Sequence, residues 1–129
     1  MHRKIISLKN GKRIANFSSP HTFTFDDGTV LGAVSDEIAQ HFKTTIDEKN
    51  HDDDSGDIEL TITLSESVKQ EMAYWMEHRA EVDVVFCPLM IVSAIKEEYG
   101  MEYLKKSPFR TTRLVDRVTK VNSSEKQCL

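Results

Sequence analysis

The chain is poor in the features that announce a particular chemistry. It has only two cysteines in 129 residues, Cys87 and Cys128, set far apart. That argues against a disulfide framework and makes a reducing cytoplasm the expected compartment. No apolar run approaches the roughly 18–20 residues that a membrane-spanning helix needs. The start, MHRKIISLKN, carries positive charge but no apolar segment, so no secretory signal is expected. There is no GxGxxG or GxxxxGK loop to cradle phosphates, and no CxxC or HExxH to hold zinc. The histidines His2, His21, His41, His51 and His78 are scattered without ligand spacing. The stretch Asp52–Asp57 (DDDSGD) fails the EF-hand pattern, because its glycine falls in the wrong register and no downstream glutamate follows. Neither a metal nor a cofactor is expected.

What is there reads as one globular domain over residues 1–129. The composition, 39% hydrophobic and 29% charged, is ordinary, and the length suffices for a modest core. A net charge of −4 argues against general affinity for DNA. The charge is unevenly spread, however. The stretch 51–57 is densely negative, whereas Lys105, Lys106, Arg110, Arg113, Arg117 and Lys120 face only Asp116. A local basic surface on an acidic chain points to a discrete anion site.

Patterning sets the expected elements. KIISLK and KRIANF flank Asn10-Gly11, the dipeptide suited to a two-residue type I′ hairpin. A second hairpin follows, with Thr22–Phe25 alternating, Asp27-Gly28 turning and TVLGAV returning; Phe23 and Phe25 share its core face. Residues 36–46 fit either a helix or a strand, with Thr44-Thr45 favouring strand. Residues 47–57 read as an acidic mobile loop, and IELTITL (58–64) as a strand. Ser65 or Ser67 caps a helix to about Arg79 with Val68, Met72, Trp75 and Met76 at helical spacing. Val82–Cys87 is a strand buried on both faces. Pro88 opens a helix that ends at Gly100, burying Leu89, Ile91, Val92 and Ile95. Residues 107–121 fit both periods; their Thr and Val content favours strand, and either period keeps Arg113 and Arg117 together. NSSEKQCL (122–129) reads as a flexible tail. The fold class is therefore α+β, an antiparallel β-hairpin-rich N-terminal half with two C-terminal-half helices packed on the sheet.

Two groups invite chemistry. Cys87 ends a strand before a helix N-terminus, which would activate a thiol for a small nucleotide hydrolase; the plainer reading is a buried hydrophobe. Trp75, with Met72 and Met76, could anchor a protein partner, or simply fill the core. The arginines Arg110, Arg113 and Arg117 carry more weight, because a guanidinium binds phosphate in a bidentate fashion.

DVVFCPLMIVSAIKEEYG followed by KSPFRTTRLVDRVTKV resembles the Thoeris anti-defence sponge family of phages. The likeness covers roughly residues 82–121, with the N-terminal hairpins and NFSSPHTFTFDDGT adding to it. It implies a viral protein of the host cytoplasm that is not an enzyme. Family members sequester the cyclic ADP-ribose isomers made by TIR-domain enzymes, and some take up cyclic oligonucleotides at separate sites. They form dimers and hexamers with ligand held between subunits. On this chain the resemblance implies that Phe86 stacks on the ligand base and that Arg113 and Arg117 hold the pyrophosphate, with Arg110 a third. The family's polar amide in the helix after Phe86 is replaced here by Ser93 and Lys96. Two arginines on a pyrophosphate contribute on the order of 3–6 kcal/mol. Nanomolar binding needs roughly 12 kcal/mol net, so such a site must also enclose its ligand.

Overall fold

A computed structural model describes residues 4–42, 44–50 and 58–129. The chain opens with two hairpins built alike. In the first, β1 (Ile5–Ser7) pairs antiparallel with β2 (Arg13–Asn16). In the second, β3 (Phe23–Phe25) pairs with β4 (Val30–Leu31). Both turns are longer than the two-residue type expected at Asn10-Gly11. Leu8 N–H donates to Lys12 O at 2.8 Å and Phe25 N–H to Thr29 O at 2.9 Å, so each loop holds three residues. The third is glycine in the left-handed region, Gly11 at φ 88° and Gly28 at φ 87°. A type I turn followed by a left-handed residue matches strand twist as a primed turn does, and glycine takes that position without strain.

The expected choice between helix and strand over 36–46 is answered by both. Ser35 caps a short helix α1 (Asp36–His41) by accepting the Ile38 N–H, and Thr44 then begins strand β5 (Thr44–Asn50). β5 pairs antiparallel with β6 (Ile58–Leu64) in a separate two-stranded sheet. The acidic loop expected over 47–57 is thus strand as far as Asn50, and the rest of it, 51–57, lies outside the described residues.

Ser65, not Ser67, caps α2 (Glu66–Glu77). A 3₁₀ turn (Arg79–Glu81) leads into β7 (Val84–Phe86). Helix α3 (Leu89–Tyr99) follows, and Gly100 at φ 92° breaks it from a further short helix, α4 (Met101–Lys106). β8 (Phe109–Asp116) and β9 (Val121–Cys128) close the chain as an antiparallel pair. Strand is therefore the outcome over most of 107–121, and the residues read as a tail belong to β9.

The main sheet is mixed, which corrects the antiparallel expectation. Its order is β1-β2-β7-β8-β9-β3-β4, with β2, β7 and β8 parallel and β3 parallel to β9. Parallel pairing follows from the α3–α4 crossover between β7 and β8. The sheet curls until its ends approach: Asn16 Nδ2 donates to Gly32 O at 3.0 Å, tying β2 to the end of β4. Alternation along the strands supplies two cores. Ile14, Val84 and Phe86 point into the curl with Phe25 and Leu31. Ala15, Phe17, Val85 and Phe109 point outward under the helices, against Val68, Met72, Trp75, Ile91, Ile95 and Leu104. Burying β7 on both faces, as its apolar run required, is what positions everything after it. Leu89 departs from the expected stripe: it is 67% exposed, because Pro88 is the N-cap and Leu89 the first helical residue, still outside the packed turn. Among the described residues, no helix is long and apolar enough to cross a membrane.

Candidate functional site

The basic segment meets the rest of the molecule along a groove beside β8 and β9. One part, about 550 Å³, is walled by Thr22 and Phe23 at the start of β3, Thr112 and Leu114 on β8, Arg117 and Lys120 from the following turn, and Asn122 on β9. His21 and Phe23 also wall an adjoining recess of about 500 Å³ that reaches Cys87, Pro88 and Leu89. The two adjoin, with His21, Phe23 and Thr112 common to both.

Its electrostatics follow from its walls. No aspartate or glutamate lines either part, whereas Arg117, Lys120 and His21 do. Helix α3 starts at the far end with Pro88 as its cap and no side-chain capping bond, so the positive end of that helix adds to the field. Threonine hydroxyls from Thr22, Thr111 and Thr112 supply neutral donors and acceptors. The walls thus offer cations and neutral hydrogen-bonding groups and no carboxylate.

The turn that delivers Arg117 and Lys120 is locally determined. Asp116 Oδ1 accepts the Val118 N–H at 2.9 Å and the Thr119 N–H at 3.3 Å, an Asx-type closure. Those amide donors, Thr119 first, hold the Asp116 carboxyl below the usual carboxylate range. Lys120 takes φ 56°, and Val121 then pairs back with Asp116.

The residues singled out from sequence scatter. Arg117 is in the groove. Arg113 sits exposed on β8 between Thr112 and Leu114 and is not one of its walls. Arg110 is used otherwise: Nη1 donates to Leu104 O at 2.8 Å and Phe109 O at 2.7 Å, and Nη2 to Lys105 O at 3.1 Å, capping α4. Burial, then the neighbouring Arg79, lowers its pKa. Lys96 is exposed on α3, and the groove walls do not include it. Phe86 is only 1% exposed; its ring packs at 5.4 Å from Phe25 and 6.1 Å from Phe23, with no face open to a ligand. The aromatic that does reach the groove is Phe23.

Two other candidates resolve to the plainer of their two readings. Cys87 is buried, donates to Val85 O at 3.5 Å, and is pushed well up in pKa by desolvation, so it is a neutral core thiol without nucleophilic character. Trp75 is fully buried and donates to Glu71 Oε1 at 3.0 Å, which leaves it no surface to anchor a partner. Among the described residues no three His, Cys, Asp or Glu side chains are grouped to hold a metal.

Sequence reasoning missed His21, Phe23 and Asn122 as site residues. Lys120 was visible in the basic count, but nothing in the one-dimensional pattern joins residues 21–23 to 112–122. That juxtaposition comes from the parallel pairing of β3 with β9, Thr24 opposite Val121. No protein-family model, curated protein or solved structure matches this chain.

Proposed function

We propose that this chain is a phage anti-defence protein that binds and sequesters a cyclic nucleotide signal, a glycocyclic ADP-ribose isomer or a cyclic oligonucleotide, without degrading it. The observation that carries this reading is the carboxylate-free groove with Arg117 and Lys120 at one end and Phe23 in its wall. Arg117 and Lys120 take the phosphates, Phe23 offers ring surface to the base, and the threonine hydroxyls meet the sugars. The buried state of Cys87 fits a binder better than a hydrolase.

Two charge-assisted contacts fall short of nanomolar binding by several kcal/mol. The remainder comes from enclosure by a second copy. The β8–β9 end supports this: Leu114, Val115 and Val118 are exposed there, Val118 at 92%, beside the exposed Arg113. Leu114 also lines the groove, so a copy docked on this arm would cover the ligand.

Titration calorimetry with a glycocyclic ADP-ribose isomer, followed by boiling and analysis of the supernatant, tests the proposal. Stoichiometric binding with the ligand recovered intact supports it, as does loss of binding in Arg117→Ala. Altered ligand would make the protein an enzyme. Absence of heat with this ligand and with cyclic oligonucleotides would sink the reading. A host-protein inhibitor acting through the same apolar arm would then be the reading left.

A further inference from the structure

Asn122 is 3% exposed, yet it forms part of the groove wall. Its amide orientation is fixed from behind: Nδ2 donates to Thr24 O at 3.0 Å across the β3–β9 pair. Turning the amide over would set its oxygen against that carbonyl, two acceptors facing each other. Its oxygen Oδ1 therefore points away from β3. No described donor is bonded to Oδ1, and among the described residues no solvent-inaccessible side-chain polar atom lacks a partner. Hence Oδ1 opens on the groove.

This oxygen differs in kind from its neighbours. Arg117 and Lys120 can only donate, and the hydroxyls of Thr22 and Thr112 can do either, whereas Oδ1 can only accept. It repels a phosphate oxygen and welcomes an N–H or O–H. We infer that Asn122 sets ligand specificity, accepting a hydrogen bond from an amine or hydroxyl that the ligand carries beside its phosphate. The inference rests on the groove being the binding site, and it adds which anions the groove prefers. A site built to pair a donor discriminates against an analogue without one, because its own buried acceptor is left unsatisfied. For one neutral bond the expected discrimination is about 10–100-fold.

Two groups on an adenine nucleotide could supply that donor, the 6-amino group of the base and a ribose hydroxyl. The test uses three ligands: a glycocyclic ADP-ribose isomer, its hypoxanthine counterpart with the amine replaced by a carbonyl, and a counterpart lacking the free hydroxyl of the adenosine ribose. Calorimetry on the wild-type protein should show about 10–100-fold weaker binding for one counterpart, which names the group read. Asn122→Ala should weaken the parent ligand by a similar factor and erase the discrimination, with a thermal melt checking that the lost Thr24 bond has not unfolded it. The wild-type comparison needs no variant. Equal affinity for all three ligands overturns the role of Asn122, and Arg117→Ala separates that result from failure of the site. If Arg117→Ala weakens every ligand while none is discriminated, the groove stands and Asn122 does not. If the parent ligand does not bind, or binds Arg117→Ala equally well, the groove falls and this inference with it.

Discussion

Asp116 Oδ1 accepts the Val118 backbone N–H at 2.9 Å, and that bond decides where two cations of the groove stand. Together with the Thr119 N–H it closes the four-residue turn from Arg117 to Lys120, whose last residue is held at φ 56°. A non-glycine residue in that region costs about 1–2 kcal/mol, so the turn persists only because its closure is over-determined. Asp116→Ala should lower affinity for the anionic ligand about tenfold, by letting Arg117 and Lys120 disperse. Asp116→Asn should restore most of it, since an amide oxygen accepts the same two N–H groups. Calorimetry on the pair checks this; equal losses in both variants would mean that charge matters rather than the turn.

The same carboxylate gives a pH dependence of known sign. Its pKa is lowered by the Thr119 and Val118 amides, so its contribution is complete above the ordinary carboxylate range, about 4, and is lost as pH falls through the lowered value. Asp83 acts in the same direction for stability, because the Arg13 guanidinium, first by its side-chain hydrogen bond at 3.1 Å, holds that carboxyl down. Thermal melts should be flat in this respect from pH 7 to about 5 and fall below about 4. Asp83→Asn should blunt the acid limb while costing no more than about 1 kcal/mol at neutral pH, since the pair is partly exposed.

Trp75 fills the space between α2 and the sheet and is fully buried, with Tyr74 edge-on at 5.2 Å. Trp75→Ala should destabilise the fold by about 3–5 kcal/mol. Trp75→Phe keeps most of the volume but removes the indole N–H from Glu71, and should cost about 1–3 kcal/mol. Chemical denaturation measures both. Neither change should affect ligand binding in the fraction that remains folded, in contrast to Arg117→Ala.

The legibility of this molecule divides along a physical line. Elements fixed by local chemistry were readable: the Asn10-Gly11 and Asp27-Gly28 turns, a serine cap at Ser65 or Ser67, the strand at 58–64, the doubly buried β7 and the break at Gly100. Loop length was not, because a glycine serves the three-residue turn as well as the two-residue one. Strand pairing was not either. Parallel contacts between β2 and β7 and between β3 and β9 join residues separated by about seventy to a hundred positions, and no period records them. The site suffered most. Arg110 and Arg117 are alike in sequence, yet one faces helix carbonyls and the other a groove, and only the crossover and the turn distinguish them. Polar composition also misled, since NSSEKQCL reads as tail while its serines are buried.

The C-terminal strand shows why. Between Thr112↔Gln127 and Leu114↔Asn122 the pairing with β8 jumps, so Ser123–Lys126 form an extended bulge. Both N-terminal turns dock on that bulge: Asn10 Nδ2 donates to Ser124 O at 3.0 Å, Lys12 Nζ to Glu125 O at 3.1 Å, and Asp26 Oδ1 accepts the Ser124 N–H at 3.0 Å. The polar residues are thus buried because they pair with backbone, which hydropathy does not register. β9 is also the strand that joins β8 to β3, so without it the sheet is cut in two. A chain ending at Lys120 should fail to fold cooperatively, whereas a flexible tail could be removed at no cost. Asn10→Ala should cost about 1–2 kcal/mol in denaturant unfolding, because it removes that bond and the one Asn10 Oδ1 accepts from the Lys12 N–H at 2.9 Å. A truncated chain that melts like the full one would show that β9 is dispensable and that the groove lacks the wall Asn122 provides.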